Sequence, residues 1–492
     1  RYVARELLQN QVSGEHTIGV LADSRFEWRL TSSRARRLEP ENRQVEFSLE
    51  ADGSYSPSFA NGPRELWDRS LVDRTQTLQG DWTFGFSRYR NRDGSVKGGG
   101  LGRSKRREFD AYLYQYFTGS RTTSVRLLPP DQSLAPENFG DATAAFYLSR
   151  FGARAQPYQA RDDIGAAYGM VDLPITRWLR VVGGARWENW QLGLDVDTED
   201  TLSSASARVR RAVPDILPSV NVTMKLGERA NLRFSYFDAV SRPDARELSP
   251  DEYNAVVAEC TQVGNTRLNR ARTSNADARF EFYPTLGEIV SASIFAKRFT
   301  DAIVETNSDA GTGGCFTGFA NAERAENLGA EVEFRRGLRF LPGALGRHVA
   351  LSLNATFTDG RAFYRSGPGL PVATLPLQGQ SKWLTNTTLS WGDAGDPLQV
   401  TFLVNWFSDR LLRYGSSGAA GATDVPPSIY EVGRTTIDLK LDRRLGPLTI
   451  SMSGRNLLDQ PVQQYVTLRA GRILTGFNPV GRFLQSKVSY AF

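Results

Sequence analysis

The chain has 492 residues, of which 23% are charged and 40% hydrophobic, with a mean hydropathy of −0.39 and a formal net charge of +6. No run of about 18 apolar residues occurs, which excludes a helical membrane protein but not a transmembrane barrel, where only alternate residues face lipid. Two cysteines and two histidines argue against zinc, haem or iron–sulfur chemistry, and arginines spread along the whole chain argue against a nucleic-acid partner.

In chain order, segments near 3–18, 24–37, 44–54, 69–87, 96–117, 158–174 and 177–197 read as strands, though their alternation is irregular. A polar insert carrying Pro129-Pro130 covers 118–157 and is expected as an extracellular loop. Beyond residue 200 the period-2 signal is clear. Val220, Val222 and Met224 oppose Asn221, Thr223 and Lys225; Val349, Leu351, Leu353, Ala355 and Phe357 oppose Ser352, Asn354 and Thr356. Leu398, Val400, Phe402, Val404 and Trp406 share a face, as do Ile437, Leu439 and Leu441. In Leu448–Arg455 one face is Leu, Ile, Met and Gly, and the other Thr, Ser, Ser and Arg.

A soluble sandwich would also alternate, but its strands average about five or six residues and many of these run to about ten, the length of a tilted membrane crossing. Connections also alternate. Those at 198–213, 241–273, 305–325, 360–377, 412–429 and 459–480 are long; those at 226–229, 284–288, 338–347, 392–397 and 443–447 are short. Outer-membrane barrels have long extracellular loops and short periplasmic turns, so the pattern predicts an all-β, antiparallel transmembrane barrel with about 18 strands present and a periplasmic C-terminus. Aromatic residues near strand ends, among them Trp383, Trp391, Trp406, Phe407 and Tyr430, suit the membrane interfaces. In the last strand Leu484, Val488, Tyr490 and Phe492 share one face, interrupted by Ser486, and resemble the signal read by the bacterial barrel-assembly machinery.

Several short stretches, in the right order over roughly 215–492, resemble the TonB-dependent outer-membrane receptors. They are Leu217-Pro218-Ser219-Val220-Asn221, Leu232-Arg233-Phe234-Ser235-Tyr236, and Ser241-Arg242-Pro243 followed by Glu247-Leu248-Ser249-Pro250. Gly264-Asn265-Thr266-Arg267-Leu268 follows, with Thr266 where the family has proline. Asn327-Leu328-Gly329 with Glu333, and Asn456-Leu457-Leu458-Asp459 with Leu458 in place of an aromatic, complete the set. The resemblance implies a barrel of about 22 strands around a separate plug domain, imbedded in outer-membrane lipid and energised by TonB acting on that plug. Neither a plug nor a TonB-contacting box is found. One barrel domain over 1–492, truncated on its N-terminal side, is the expectation.

By the same resemblance the function is uptake of a scarce small-molecule or metal-chelate ligand, with ferric siderophores the first class to consider. A passive pore or structural barrel without a plug is the alternative, and a soluble all-β binding protein a third reading. The residue inventory supports no catalytic site, no cofactor and no metal site: His348 sits beside a short turn, and His16 is expected at the lumen or rim. Inward-facing Glu331, Glu333, Arg335, Asp438, Lys440 and Arg455 would line the lumen. Among loop residues Tyr253, Phe316, Phe319, Phe363, Tyr364 and Tyr414 are candidates for ligand contact. Cys260 and Cys315 fall in successive long loops on one side, where a disulfide or two unpaired thiols are both open.

Overall fold

A computed structural model describes residues 2–21, 24–45, 47–49, 55–57, 64–86, 93–121, 125, 128–150, 157–196, 208–250, 252–253, 261–309, 315–365, 372–392, 395–415, 427–468 and 471–491. The main sheet has 21 strands; four are short additions (Phe146–Arg150, Glu252–Tyr253, Thr261–Val263 and Ala373–Pro376), leaving seventeen wall strands. These are β1 (Ala4–Ile18), β2 (Ser24–Val45), β3 (Arg64–Phe86), β4 (Gly94–Thr118), β5 (Tyr158–Pro174), β6 (Leu179–Val196), β7 (Arg208–Lys225), β8 (Ala230–Ser241) and β9 (Ala271–Phe282). Then follow β10 (Ile289–Asp309), β11 (Cys315–Gly337), β12 (Val349–Tyr364), β13 (Trp383–Trp391), β14 (Leu398–Phe407), β15 (Arg434–Leu445), β16 (Leu448–Arg455) and β17 (Phe483–Tyr490). Each wall strand pairs antiparallel with its chain neighbours, giving an unbroken meander. The sheet does not close: among the described residues no pairing joins β1 to β17, and no plug is seen. No helix is long and apolar enough to cross a membrane, which says nothing of a crossing by strands.

Alternation assigns the two faces. Leu30, Leu78, Trp187, Ile216, Ile294 and Leu328 lie exposed on the outer face, so the wall wears its apolar residues outward. A soluble protein hides such residues; a barrel in lipid leaves them facing the bilayer. The inner face at the same height is polar and cross-linked. Glu281 accepts from Arg233 (2.8 Å) and Arg279 (3.1 Å), and Arg279 reaches Glu333 at 2.7 Å. That last bond crosses β10 above the small side chains Ser291 and Ser293, which are themselves buried.

Toward the long-loop end the faces exchange chemistry without any slip of register. On β6 the outer positions become Asn189, Gln191, Gly193 and Asp195, while the inner ones become Trp190, Leu192, Leu194 and Val196, all buried. Leu113 of β4, Tyr158 of β5 and Val209 of β7 join them. The strands there run longer than a membrane crossing requires. β4 has 25 residues, whereas a tilted crossing needs about 9–11.

Two expectations change. The connections 305–325 and 459–480, expected as loops, are largely strand. β10 and β11 stay paired out to Asp309 opposite Cys315, and Val462–Leu468 pairs with Gly471–Asn478. Backbone pairing outlasts the apolar pattern because hydrogen bonds between strands do not depend on which face meets lipid. The strand expected at 44–54 is instead a small hairpin, Phe47–Leu49 with Tyr55–Pro57, apart from the wall.

Candidate functional site

The connection between β8 and β9 folds inward over the mouth at the long-loop end. It leaves β8 through Arg242, whose guanidinium donates to the buried Glu188 carboxylate of β6 at 2.5 Å and lies 5.7 Å from the Trp190 ring. A short helix, α1 (Ala245–Leu248), follows. Asp244 caps it, accepting from the Arg246 N–H, while Glu247 accepts from the Asp244 N–H: a reciprocal capping box. Asp244 also receives Arg107 of β4 at 2.5 Å, and Arg107 holds Asp73 of β3 in a two-pronged pair at 2.7 and 2.8 Å. The connection is thereby tied across the wall to strands four and five places away.

Apolar packing does the rest. Leu248 and Leu268, 0% and 1% exposed, sit against Trp190, Leu192, Leu194, Val209 and Tyr158. Full burial of one such leucine is worth about 2–3 kcal/mol. Asn265 organises the return: its N–H donates to Glu247 O at 2.6 Å, its side-chain amide to Phe319 O of β11 at 2.9 Å, and its Oδ1 accepts from Arg267 N–H. Arg211 of β7 donates to Thr266 O. Asn321 of β11 exchanges bonds with Asn269 at 2.8 and 3.1 Å. A cavity of about 50 Å³, lined by Arg37, Glu39, Phe109, Tyr158, Arg246 and Gln262, remains beneath the connection.

A second apolar cluster lies further round the mouth, where Ala302, Val304, Ala322, Ala325, Ala362, Leu411 and Tyr414 are buried. Phe319 and Ile303 pack on the first cluster and Ala320 and Phe299 on the second, so the extensions of β10 and β11 serve both. Above it stands a separate four-stranded sheet of Arg410–Arg413, Ile429–Glu431, Val462–Leu468 and Gly471–Asn478. Asp409, immediately before its first strand, accepts from Gly433 N–H (2.8 Å), Tyr465 hydroxyl (2.9 Å) and Arg472 (3.0 Å). Burial pushes that carboxyl up, but those bonds and the Arg472 charge outweigh it and hold it below the usual carboxylate range. Burial, with the bond to Asp409, pushes the Tyr465 hydroxyl up to about 12. Tyr430 stacks on Tyr465 at 5.4 Å and Arg472 covers its ring at 4.5 Å.

The residues singled out as ligand contacts are dispersed over this mouth. Phe319 is half-buried against the connection, and Tyr364 against the second cluster. Tyr414 is fully buried, its hydroxyl donating to Pro376 O at 2.9 Å. Phe363 lies on the outer face with Arg324 4.1 Å above its ring. The backbones of Tyr253 and Phe316 fall in strands, and their side chains lie outside the described residues, as do Cys260, the Cys315 side chain and Phe492. Leu484, Val488 and Tyr490 are exposed together on the outer face of β17. His348 pairs with Asp396 at 3.0 Å beside a short turn. His16 belongs to the outer face, not the lumen, and accepts from Trp28 Nε1 at 3.0 Å; the parity it shares with Val12 puts it there. Arg107, Arg211 and Asn321, which help hold the connection down, were not foreseen, and Arg242 was noted only as part of a family-like motif.

Residues 11–457 match the family profile described as TonB dependent receptor-like, beta-barrel. No curated protein matches. Solved structures with the same fold include the ferric yersiniabactin uptake receptor FyuA from Yersinia pestis, at 12% identity and TM-score 0.61, over 100% of this chain and 62% of that one. The siderophore receptor PiuA from Acinetobacter baumannii is 13% identical with TM-score 0.61, over 99% and 64%. The copper transporter OprC is 15% identical with TM-score 0.63, over 99% and 65%. The chain therefore spans less than two thirds of each.

Proposed function

This chain belongs to the TonB-dependent receptor-like β-barrel family, and from that premise we propose that it is the wall of an outer-membrane receptor that imports a scarce solute, a ferric siderophore before other classes. The observation that carries the reading is the inward-folded connection. Its anchors Arg242, Leu248, Gly264, Asn265 and Leu268 stand at the positions where the sequence resembles the family, and they build a mouth rather than a lipid-facing surface. Two of the similar structures are siderophore receptors and one is a copper transporter, so a metal or its chelate is the cargo to test first.

On this reading the long-loop end faces outward, the C-terminus is periplasmic, and TonB supplies energy through a plug. The Phe319, Tyr364, Arg246 and Arg267 side chains border the entry, where guanidinium groups attract an anionic chelate and aromatic rings pack on its ligand framework. Leu484, Val488 and Tyr490 present the assembly signal. The test is growth of a gene-deleted strain in iron-limited medium on a panel of ferric siderophores, with uptake of radiolabelled iron. Loss of one siderophore's uptake, equalled by loss of TonB, supports the proposal. Uptake that persists without TonB overturns it in favour of a passive pore.

A further inference from the structure

The outer wall carries a feature that solute uptake does not use. Arg34 of β2 stands directly opposite Arg74 of β3, Arg74 opposite Arg106 of β4, and Arg106 opposite Arg161 of β5. The next place in the row, on β6, is Gly193, and Arg210 of β7 lies over it, its guanidinium 3.6–3.7 Å from where a Cβ would stand. Five arginines thus form one lateral row across six consecutive strands, all exposed. Their parity is that of Leu30, Leu78 and Ile216, so the row is on the lipid-facing side of the wall.

Like charges directly opposite one another destabilise a sheet. Carboxylates relieve part of the row: Glu108 takes Arg74 at 2.8 Å, Asp163 takes Arg161 at 2.6 Å, and Asp195 takes Arg210 at 2.8 Å. Arg34 and Arg106 have no carboxylate partner among the described residues, nor has Arg36 one step above. With Arg36 and Arg208 included, seven arginines face four carboxylates, the fourth being Glu6 of β1 in register with Arg36. Between them runs a trough of about 770 Å³ bordered by Arg106, Glu108, Arg161, Asp195 and Arg210.

Height decides the partner. Arg34 lies four residues past Leu30, and Arg74 four residues from Leu78, about 13 Å along the strand and rather less along the membrane normal once tilt is included. The run of outer apolar residues on β3, Phe84, Trp82 and Leu78, ends below Arg74, so the row stands at the edge of the apolar belt, where the headgroups of a bilayer begin. We propose that the row is a docking surface for a phosphorylated lipid headgroup of the leaflet at the long-loop end. Guanidinium groups grip phosphate oxygens bidentately. Neighbouring strands lie about 4.8 Å apart, so a headgroup with two phosphates spans two or three strands of the row. The inference rests on the membrane-wall reading above.

The probe is lipid A, a diphosphorylated glycolipid, added to the full-length protein in neutral detergent and counted by native mass spectrometry, beside its dephosphorylated derivative and inorganic phosphate. The wild type is expected to retain lipid A in a salt-sensitive manner, and Arg34→Gln/Arg106→Gln/Arg161→Gln to weaken retention about tenfold or more, since charge-assisted bonds are lost. Arg335→Gln/Arg455→Gln, on the inner face, is expected to leave retention unchanged. Retention by the triple variant equal to wild type, equal loss in the inner-face variant, or equal binding of the dephosphorylated lipid would overturn the proposal. Full competition by inorganic phosphate would assign a free-anion site and overturn it as well. If the triple variant does not insert into phosphatidylcholine vesicles, Arg106→Gln alone carries the test, with the same direction of change. Insertion of the wild type into those vesicles is read separately, so failure of the wall reading is not confused with failure of the row.

Discussion

Gly264, Gly329 and Asn456 account physically for three of the short motifs. A Cβ on Gly264 would stand 2.0 Å from Ser249 O and 2.7 Å from Arg246 O, because the returning chain lies directly on the end of α1. On Gly329 it would stand 2.3 Å from Phe295 Cζ, since the Phe295 ring of the neighbouring strand crosses that position. Asn456 has φ +50°, a conformation that asparagine tolerates better than most residues. Its side chain donates to Gly481 O at 2.9 Å and accepts from Gln460 N–H, fixing the turn after β16 to the approach of β17. Gly264→Ala is therefore expected to undock the connection over 241–271 at about 1–3 kcal/mol, the usual penalty of overpacking, while the wall is retained. Hydrogen exchange across 241–271 checks this: unchanged protection there would mean the contact is not what holds the connection down. Residues of this kind are legible in sequence as types, a glycine or an asparagine at a fixed place, but the partner each one meets is not.

At the scale of elements, alternation located the strands and left the identity of each face open. Ile437, Leu439 and Leu441 share the outer face with Phe402 and Met452, yet Trp190, Leu192, Leu194 and Val196 show equally regular alternation and point inward. A strand announces two faces; which one is covered depends on what lies beside it, and here that is a connection folded in from residues about fifty positions later. Most early strands were found to within a few residues, but β2 runs eight residues past its expected end to Val45 and 47–49 pairs with 55–57 instead, and strand extensions toward the long-loop end read as loops because their outer face turns polar. The outer face gives a direct test. Val332, exposed between the outward Phe334 and Ala330 of β11, stands in the middle of the apolar belt. Val332→Arg is expected to destabilise the protein in lipid vesicles by about 2–4 kcal/mol, measured by denaturant unfolding. Glu331→Gln, one residue away on the inner face, is expected to change stability by less than about 1 kcal/mol. Equal effects would reverse the assignment of faces.

For the whole molecule, the decisive property is its polarity between two ends. Short turns such as that at Leu286, wholly exposed, lie at one end, and the insert bearing Ala142 lies at the other. In intact cells Ala142→Cys is expected to react with a membrane-impermeant maleimide above the background of the parent chain, and Leu286→Cys only after the outer membrane is permeabilised. The reverse pattern would invert the orientation. Alternating connection lengths made this polarity readable from sequence, because turn economy at one end and elaboration at the other is a one-dimensional pattern. The mouth is not one-dimensional: Arg107 meets Asp244 across 137 residues, and no local signal joins them.

The unbroken meander makes spatial order and order of synthesis the same order. Each strand, as it arrives, finds its partner already laid down on one side and needs no search among alternatives. The wall can then grow like a one-dimensional crystal, a hairpin at a time from a single advancing rim, with the number of strands set by how long growth continues. Such a wall lengthens or shortens by whole hairpins without rethreading any strand, and the connections between hairpins are free to diverge while the growth rule stays the same.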